Sequence, residues 1–281
     1  MTEGRGWGSR ILRIYLPVMA FLVLMLFPFY WMLIASIKPN RELYNAKIMP
    51  MIVYQPTLKH YYDLFADTNF LLWTYNTMLV AVITTAISLI LGAMVAYPLA
   101  RMNFPGAAIV AIGVAATYLV PQPLLFIPMA DIINKLELGN TLSAVMLTYP
   151  TLLIPFCSWL LMGYFKSVPR ELEEAARIDG ASRFQAMWRV VLPLTTPGLL
   201  SAGIFAFTLA QNEFLYALIF LTKTEVRTVP VGAISELVRG DVFYWGQLMA
   251  AALLGSIPVA IIYSFFVEHY VAGLTAGSVK G

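Results

Sequence analysis

Long apolar stretches recur along this chain and decide what it can fold into. A helix needs roughly 20 apolar residues to cross the hydrocarbon core of a bilayer, where no water can pair with its backbone. Stretches of this kind lie near residues 14–36, 71–100, 106–129, 142–163, 198–222 and 245–270. The sequence therefore predicts an all-α integral membrane protein with six transmembrane helices, formed by a single membrane domain over residues 1–281.

The composition excludes several other classes of protein. Of the 281 residues, 60% are hydrophobic and 12% are charged, and the net charge of +3 comes without a basic run, so a nucleic-acid partner is not expected. Cys157 is the single cysteine, and His60 and His269 are the two histidines, which leaves neither a disulfide framework nor a metal-ligand cluster. Phosphate-binding GxxxxGK[ST] and zinc-binding HExxH motifs are missing from the sequence. The chain is predicted to hold no catalytic, cofactor or metal site of its own.

The start of the chain has a basic lead before its first apolar run, as a signal peptide does. The run is longer than a signal core, and no small-x-small cleavage site follows it, so we expect an uncleaved first membrane helix. Lys and Arg residues are slightly more frequent in the loops that share a side with the N-terminus. By the positive-inside rule, both termini and the loop at about 164–197 are predicted to be cytoplasmic.

Prolines interrupt the third and fourth apolar segments. A proline in a membrane helix frees a carbonyl oxygen, which must be paired by a neighbouring helix or by a water-lined cavity. Interrupted helices of this kind favour a translocation path over a simple anchor. The prolines concerned are Pro121, Pro123, Pro128, Pro150 and Pro155.

A charged stretch, EEAARIDGASRFQAMWRVVLP, breaks the apolar sequence at residues 173–193. Pro169 and the glutamates after it are typical of a helix start, because proline suits the first turn and carboxylates are stabilised at the positive end of the helix dipole. Gly180 is expected to end this helix, since glycine adopts the left-handed conformation of a C-terminal cap. The small side chains of Ala175 and Ala176 permit another surface to approach closely.

A second short helix is predicted directly after that glycine. Ser182 and Gln185 have the spacing of a capping box, and Pro193 is expected to end the helix before the fifth apolar segment. One apolar stripe at helical spacing contains Phe184, Trp188 and Val191. From these residues alone, the helix pair is either an ordinary interfacial element or a docking element for a partner protein.

The spacing within this stretch resembles the EAA loop of ABC-importer permeases. The matching positions are Glu174, Ala175, Ala176, Gly180, Val190, Leu192 and Pro193, with valine at 190 where the family more often has isoleucine. The resemblance implies a type I ABC importer permease fold in which this loop is the coupling helix, seated in a cleft of a separate ATPase subunit. The implied coupling residues are Glu174, Ala175, Ala176, Asp179, Gly180, Ala181, Leu192 and Pro193.

Two further stretches are similar to the MalG-like subunits of maltose-type carbohydrate importers. The end of the chain, AGLTAGSVKG, resembles the tail of those subunits, which reaches into the ATPase dimer interface. The segment LAQNEFLYALIFLT at 209–222 resembles their Trp-Asn-Glu-Phe stretch, with glutamine replacing the tryptophan. Within the tail (residues 271–281), the implied ATPase contacts are Leu274, Thr275, Ala276, Gly277, Lys280 and Gly281.

The candidate substrate path consists of Gln211, Asn212 and Glu213. An acidic residue inside a membrane segment is costly and usually faces protein or water. Asn212 and Glu213 therefore either line the path and bond substrate hydroxyls, or tie adjacent helices together in every state. A Gln in place of the family's aromatic residue alters the local contacts that a sugar would make.

The resemblance implies one membrane half of a bacterial inner-membrane importer for a sugar or sugar derivative. Its implied partners are a second, MalF-like permease, an ATPase homodimer that binds ATP and Mg, and a periplasmic or lipid-anchored substrate-binding protein. The chain itself would not be an enzyme. Three alternatives are an ABC permease for a non-sugar solute, an ATP-independent secondary transporter and a structural anchor. The secondary transporter would predict charged relays or an internal repeat, and the anchor leaves the EAA spacing unexplained.

Overall fold

The structure is a computed structural model that describes residues 11–276, with side chains from 13 to 266. Two compact units are present. The first contains the described residues up to Phe70 together with Ala233–Ile257, and the second contains Leu71–Gly232 together with the described residues from Pro258. In the part of the chain that the structure describes, helices account for nearly all of the regular secondary structure.

The first unit is built on a long apolar helix that follows a π-helical turn at Ile11–Tyr15. Its helices are α1 (Leu16–Ile37), α2 (Asn40–Leu43) and α3 (Lys59–Asp67). A small antiparallel hairpin pairs β1 (Val238–Arg239) with β2 (Val242–Phe243). The loop that follows α1, at about residues 38–70, therefore carries two short helices, α2 and α3.

Two buried charged residues organise that loop. The carboxylate of Glu42 accepts hydrogen bonds from the backbone N–H groups of Tyr54 and Gln55, at 3.1 and 2.9 Å. The ammonium group of Lys38 donates to the carbonyl oxygen of Pro50 at 2.6 Å. Because a buried charge is costly without partners, these contacts fix the course of residues 38–55.

The second unit contains the remaining helices in chain order. These are α4 (Phe70–Arg101, whose first residue belongs to the first unit), α5 (Ala107–Tyr118), α6 (Gln122–Lys135), α7 (Leu142–Thr148), α8 (Pro150–Ser167), α9 (Arg170–Ile178), α10 (Arg183–Ala186), α11 (Leu192–Leu194), α12 (Thr196–Asn212) and α13 (Leu215–Phe220). A π-helical turn at Met187–Val191 joins α10 to α11, and a 3-10 turn follows at Thr224–Val226. Helices α14 (Val229–Leu237) and α15 (Trp245–Ala276) extend across the unit boundaries.

The predicted all-α membrane fold is confirmed, with a correction to one of the segments. Four described helices are long and apolar enough to cross a membrane, or up to six spans if each of two bent pairs counts as one. The third predicted segment consists of α5 and α6, which meet at an angle of 94° around Pro121. The fifth is interrupted at Glu213 and Phe214, between α12 and α13. The interruption predicted for the third segment is therefore confirmed, as one sharp bend, whereas the single uninterrupted segment predicted for 198–222 is wrong.

Two apolar clusters form the core of the second unit. The larger contains Tyr149, Leu153 and Phe207 and lies around the interruption in the fifth segment. The smaller contains Phe165 and Val191, so it joins the C-terminal end of α8 to the charged stretch identified in the sequence. These clusters hold the two regions where function is expected.

Candidate coupling loop and translocation cavity

The first candidate region is the loop that contains α9 and α10, and its bend at Gly180 is confirmed. Gly180 has φ +93°, a conformation in which any other residue is strained. Its N–H donates to the carbonyl oxygen of Arg177 at 3.1 Å, and the N–H of Ala181 donates to that of Ala176 at 3.0 Å. These two bonds define a Schellman cap, which ends α9 and turns the chain.

The predicted capping box is also confirmed. The N–H of Gln185 donates to the hydroxyl of Ser182 at 3.2 Å, and the N–H of Ser182 donates to the Gln185 side chain at 2.8 Å. The helical run then continues one residue beyond Pro193, to Leu194, and the chain bends by 81° before α12.

The single apolar stripe predicted for this second helix is wrong. Val191 is fully buried, whereas Phe184 and Trp188 are 57% and 49% exposed and their ring centroids lie 6.1 Å apart. The π-helical turn at Met187–Val191 adds a residue to the turn and changes the register of the stripe. Sequence spacing at the regular helical period could not anticipate this change.

The EAA-like positions divide between an exposed part and a buried part. Glu174, Ala175, Asp179 and Gly180 are exposed, and Ala176 and Ala181 are half-buried. Leu192 is buried in the smaller apolar cluster, while Pro193 is exposed. The side chain of Ile178, at the tip of α9, is 87% exposed. One face of α9 is therefore available to a partner, while Leu192 secures the second half of the loop.

Three side chains that sequence reasoning did not select tie α9 to the membrane helices. The guanidinium of Arg101 donates to the carboxylate of Glu173 at 2.8 Å. The hydroxyl of Tyr97 donates to the same carboxylate at 2.5 Å. An arginine at the end of a long apolar helix was the available signal, but its partner lies 72 residues away in sequence.

The second candidate region is a cavity of about 610 Å³ inside the second unit. Its walls come from the bend between α5 and α6, where Tyr118 and Gln122 lie, and from the break between α12 and α13. Non-helical backbone at membrane depth is tolerated where it is buried in protein or lines a cavity. Two interrupted helices therefore meet around one space, and both Asn212 and Glu213 line it.

The structure gives the three predicted path residues different surroundings. Both carboxylate oxygens of Glu213 accept backbone N–H groups at the start of α13, from Tyr216 at 2.9 Å and from Ala217 at 3.1 Å. Asn212 is exposed and donates to the carbonyl oxygen of Thr208 at 2.8 Å. Gln211 is buried and does not line the cavity.

The predicted ATPase-interface tail lies largely beyond the described residues. The backbone of Leu274, Thr275 and Ala276 completes α15, but the description does not include their side chains. Gly277, Lys280 and Gly281 lie outside the described residues, so the assignment of the tail stays a prediction.

Comparison with known proteins gives consistent matches. Residues 88–275 match the family model described as "Binding-protein-dependent transport system inner membrane component". The chain is 39% identical over 257 residues to the sulfoquinovosyl glycerol transport system permease protein SmoH of Agrobacterium fabrum, covering 91% of this chain and 89% of that protein. It is 35% identical over 262 residues to the trehalose/maltose transport system permease protein MalG of Thermococcus litoralis, covering 92% and 93%.

A solved structure supports the fold independently of close sequence similarity. A chain of a bacterial ABC transporter involved in the import of the acidic polysaccharide alginate superposes with a TM-score of 0.80. The match covers 96% of this chain and 100% of that chain at 22% identity.

Proposed function

The chain belongs to the binding-protein-dependent transport system inner membrane components, and on that premise we propose that it is one of the two permease subunits of an ATP-driven sugar importer. It is a multi-pass protein of the cytoplasmic membrane, with both termini in the cytoplasm. The second permease completes the translocation path, and a separate ATPase homodimer binds ATP and Mg and performs the hydrolysis. The chain itself has no catalytic role.

The observation that carries this proposal is the geometry of the loop at α9 and α10. Its exposed face has an acidic rim at Glu174 and Asp179 around the small side chain of Ala175 and the apolar side chain of Ile178. We assign this face, with its small and apolar side chains inside an acidic rim, to the cleft of the ATPase. When the ATPase dimer closes, this face is pulled, and the pull reaches the membrane helices through the buried parts of the loop.

The cavity supports a saccharide as the solute. Tyr118 and Phe214 offer aromatic faces for the apolar side of a sugar ring, and Gln122 and Asn212 offer amide groups for its hydroxyls. Among the described residues that line the cavity, Glu213 is the one charged side chain and no Lys or Arg is present. We therefore assign a neutral sugar, in contrast to the acidic polysaccharide of the structurally similar alginate transporter.

We assign the substrate-binding protein, periplasmic or lipid-anchored, to the periplasmic side of the predicted topology. Residues 38–70 and 222–243 lie in the two long loops on that side of the predicted topology. The buried contacts of Glu42 and Lys38 give the first loop a fixed shape, which a docking partner requires.

The first experiment is affinity purification of the chain from native membranes in mild detergent, followed by mass spectrometry of its companions. We expect an ATPase and a second six-helix permease. The Gly180→Arg variant should lose the ATPase, because a side chain at φ +93° distorts the bend. The matched control is Gly139→Arg, at another exposed glycine where an added Cβ meets nothing within 4 Å and φ is not in the left-handed region.

Purification of the wild-type chain without any ATPase would contradict the proposal and favour a secondary transporter.

The assignment of a neutral sugar is tested separately, in proteoliposomes that contain the purified complex and its binding protein. Uptake from a panel of labelled neutral disaccharides should exceed uptake from disaccharides that contain a uronic acid. Preferential uptake of the acidic members would refute the neutral assignment without affecting the transporter assignment.

A further inference from the structure

Helix α9 is connected to the membrane helices by side-chain hydrogen bonds. None of its described residues is buried, so it contributes no side chain to the two apolar clusters of the second unit. Glu173 is half-buried and faces the membrane helices, whereas Glu174, Ala175 and Ile178 face outwards. Among the described residues of α9, Glu173 is the one whose side chain forms hydrogen bonds with α4.

Arg101 is the main partner of that carboxylate, and it contacts two chain segments at once. Besides Glu173, its guanidinium donates to the carbonyl oxygens of Val168 at 2.6 Å, Phe165 at 3.2 Å and Pro169 at 3.3 Å. Phe165 lies in the last turn of α8, and Val168 and Pro169 form the link into α9. One planar side chain at the end of α4 thus holds the end of α8 and the first turns of α9.

The chemistry of arginine makes this junction stiff. The guanidinium group is planar, and its N–H donors point in fixed directions. The Arg101 side chain is 2% exposed and the Glu173 side chain is 12% exposed, so water cannot easily replace either partner. Removing one member of such a pair leaves an uncompensated buried charge, which is strongly unfavourable.

Tyr97 adds a second contact one helical turn before Arg101. Its hydroxyl lies 2.5 Å from the Glu173 carboxylate and 3.2 Å from the carbonyl oxygen of Arg183, the first residue of α10. The ring packs against Phe165 with centroids 6.5 Å apart. Hydrogen bonds therefore attach both halves of the loop, α9 and α10, to the same end of α4.

We propose that Arg101, Glu173 and Tyr97 form a transmission junction, which makes α9 move together with the ends of α4 and α8 when the ATPase closes. The inference rests on the proposed function, since the ATPase supplies the movement. The exposed face of α9 at Glu174, Ala175, Ile178 and Asp179 is called the docking face. Arg101, Glu173 and Tyr97 are positioning residues, because they connect this face to the membrane helices and do not themselves form it. Without the junction, α9 follows the ATPase while α4 and α8 stay behind.

The test uses the complex with its ATPase and binding protein in proteoliposomes, with labelled maltose and trehalose as transport probes. We expect Arg101→Gln and Glu173→Gln to lower sugar uptake per ATP hydrolysed by about tenfold or more, because the buried pair is broken from one side. ATP hydrolysis should continue, since the docking face is intact. The double variant should lose less than the product of the two single effects, because it leaves no unpaired charge.

A second readout measures the attachment of α9 directly. Spin labels at Glu171→Cys on α9 and at Leu136→Cys, the residue that follows α6, report the distance distribution between these two sites in nanodiscs, in a Cys157→Ala background. The distribution should broaden in Arg101→Gln and Glu173→Gln. The matched control is Asp131→Asn, which breaks the exposed Asp131–Lys135 ion pair and should change neither readout.

Two outcomes would overturn the inference, and a third would overturn the proposed function. An unchanged uptake per ATP and an unchanged distance distribution in assembled Arg101→Gln complexes would overturn the inference. Failure of both single variants to assemble would also overturn it, because the pair would then be needed for folding and not for transmission. If the wild-type chain has no ATPase partner, the proposed function fails, while the distance measurement still reports whether the junction holds α9.

Discussion

Glu213 offers a decisive test of how the interrupted fifth segment is built, because its two possible roles predict different results. As an anchor, its carboxylate holds the start of α13 by accepting hydrogen bonds from Tyr216 and Ala217. As a path residue, it would bind substrate at the edge of the cavity that it lines. We expect the anchor role to dominate, because both carboxylate oxygens are engaged and the residue is 8% exposed.

The size of the effect follows from the two bonds. A hydrogen bond to a charged group contributes about 1.5–3 kcal/mol in soluble proteins. Side-chain hydrogen bonds within membranes average nearer about 0.6 kcal/mol, because the unfolded state in the membrane also finds partners. Glu213→Ala, which removes both bonds, should therefore lower stability by about 1–6 kcal/mol. Glu213→Gln keeps one carbonyl oxygen as an acceptor and should lose roughly half as much.

The assay combines the thermal midpoint of the purified complex in nanodiscs, followed by tryptophan fluorescence, with sugar uptake in proteoliposomes. The midpoint should fall in the order wild type, Glu213→Gln, Glu213→Ala, and uptake should fall with it. Asn212→Ala is the control, since Asn212 lines the same cavity but is exposed, and it should reduce uptake at a nearly unchanged midpoint. A Glu213→Ala complex with the wild-type midpoint and no uptake would refute the anchor reasoning.

Two further predictions concern the docking face and the packing of the second unit. Ile178→Asp should abolish copurification of the ATPase without lowering the thermal midpoint, because the side chain is 87% exposed and supports no core contact; an ATPase that still copurifies would remove Ile178 from the interface. Gly232→Ala should lower stability by about 1–3 kcal/mol, because the new Cβ would lie 2.3 Å from the buried Trp73 ring. The ring cannot easily move away, since its N–H donates a hydrogen bond to the carbonyl oxygen of Thr224. Gly113→Ala, where a Cβ meets nothing within 4 Å, is the control for thermal unfolding, and equal midpoints for the two variants would contradict the packing argument.

The features that were predicted correctly from the sequence depend on residues that are close together in the chain. The caps at Gly180 and Ser182 depend on a few consecutive residues, and the structure has both. The first, second, fourth and sixth membrane segments follow from hydropathy, since the backbone groups of a long apolar run must be paired within a helix in lipid. Prolines correctly indicated an interruption in the third segment, although the sharp bend around Pro121 was not anticipated.

The features that were missed depend on contacts between distant residues or on small changes of register. The segment around Glu213 is apolar on both sides, so hydropathy reads it as one helix, and only the capped start of α13 reveals the break. Arg101 and Glu173 each look like an ordinary charge at a helix end, and their pairing requires the packing of α4 against α8. The π-helical turn moves Phe184 and Trp188 away from Val191 through one added residue.

The two candidate regions are connected by a single helix, α12. It begins at Thr196, directly after the second half of the loop, and ends at Asn212 on the wall of the cavity. With 17 residues it is about 25 Å long. Near its start, Gly198 lies so close to the ring of Tyr164 on α8 that a Cβ would come within 2.3 Å of it. If the chain works as proposed, we expect a displacement of the loop to reach the break in the fifth segment along α12 and α8, and the hydrogen bonds of Glu213 to carry it on to α13.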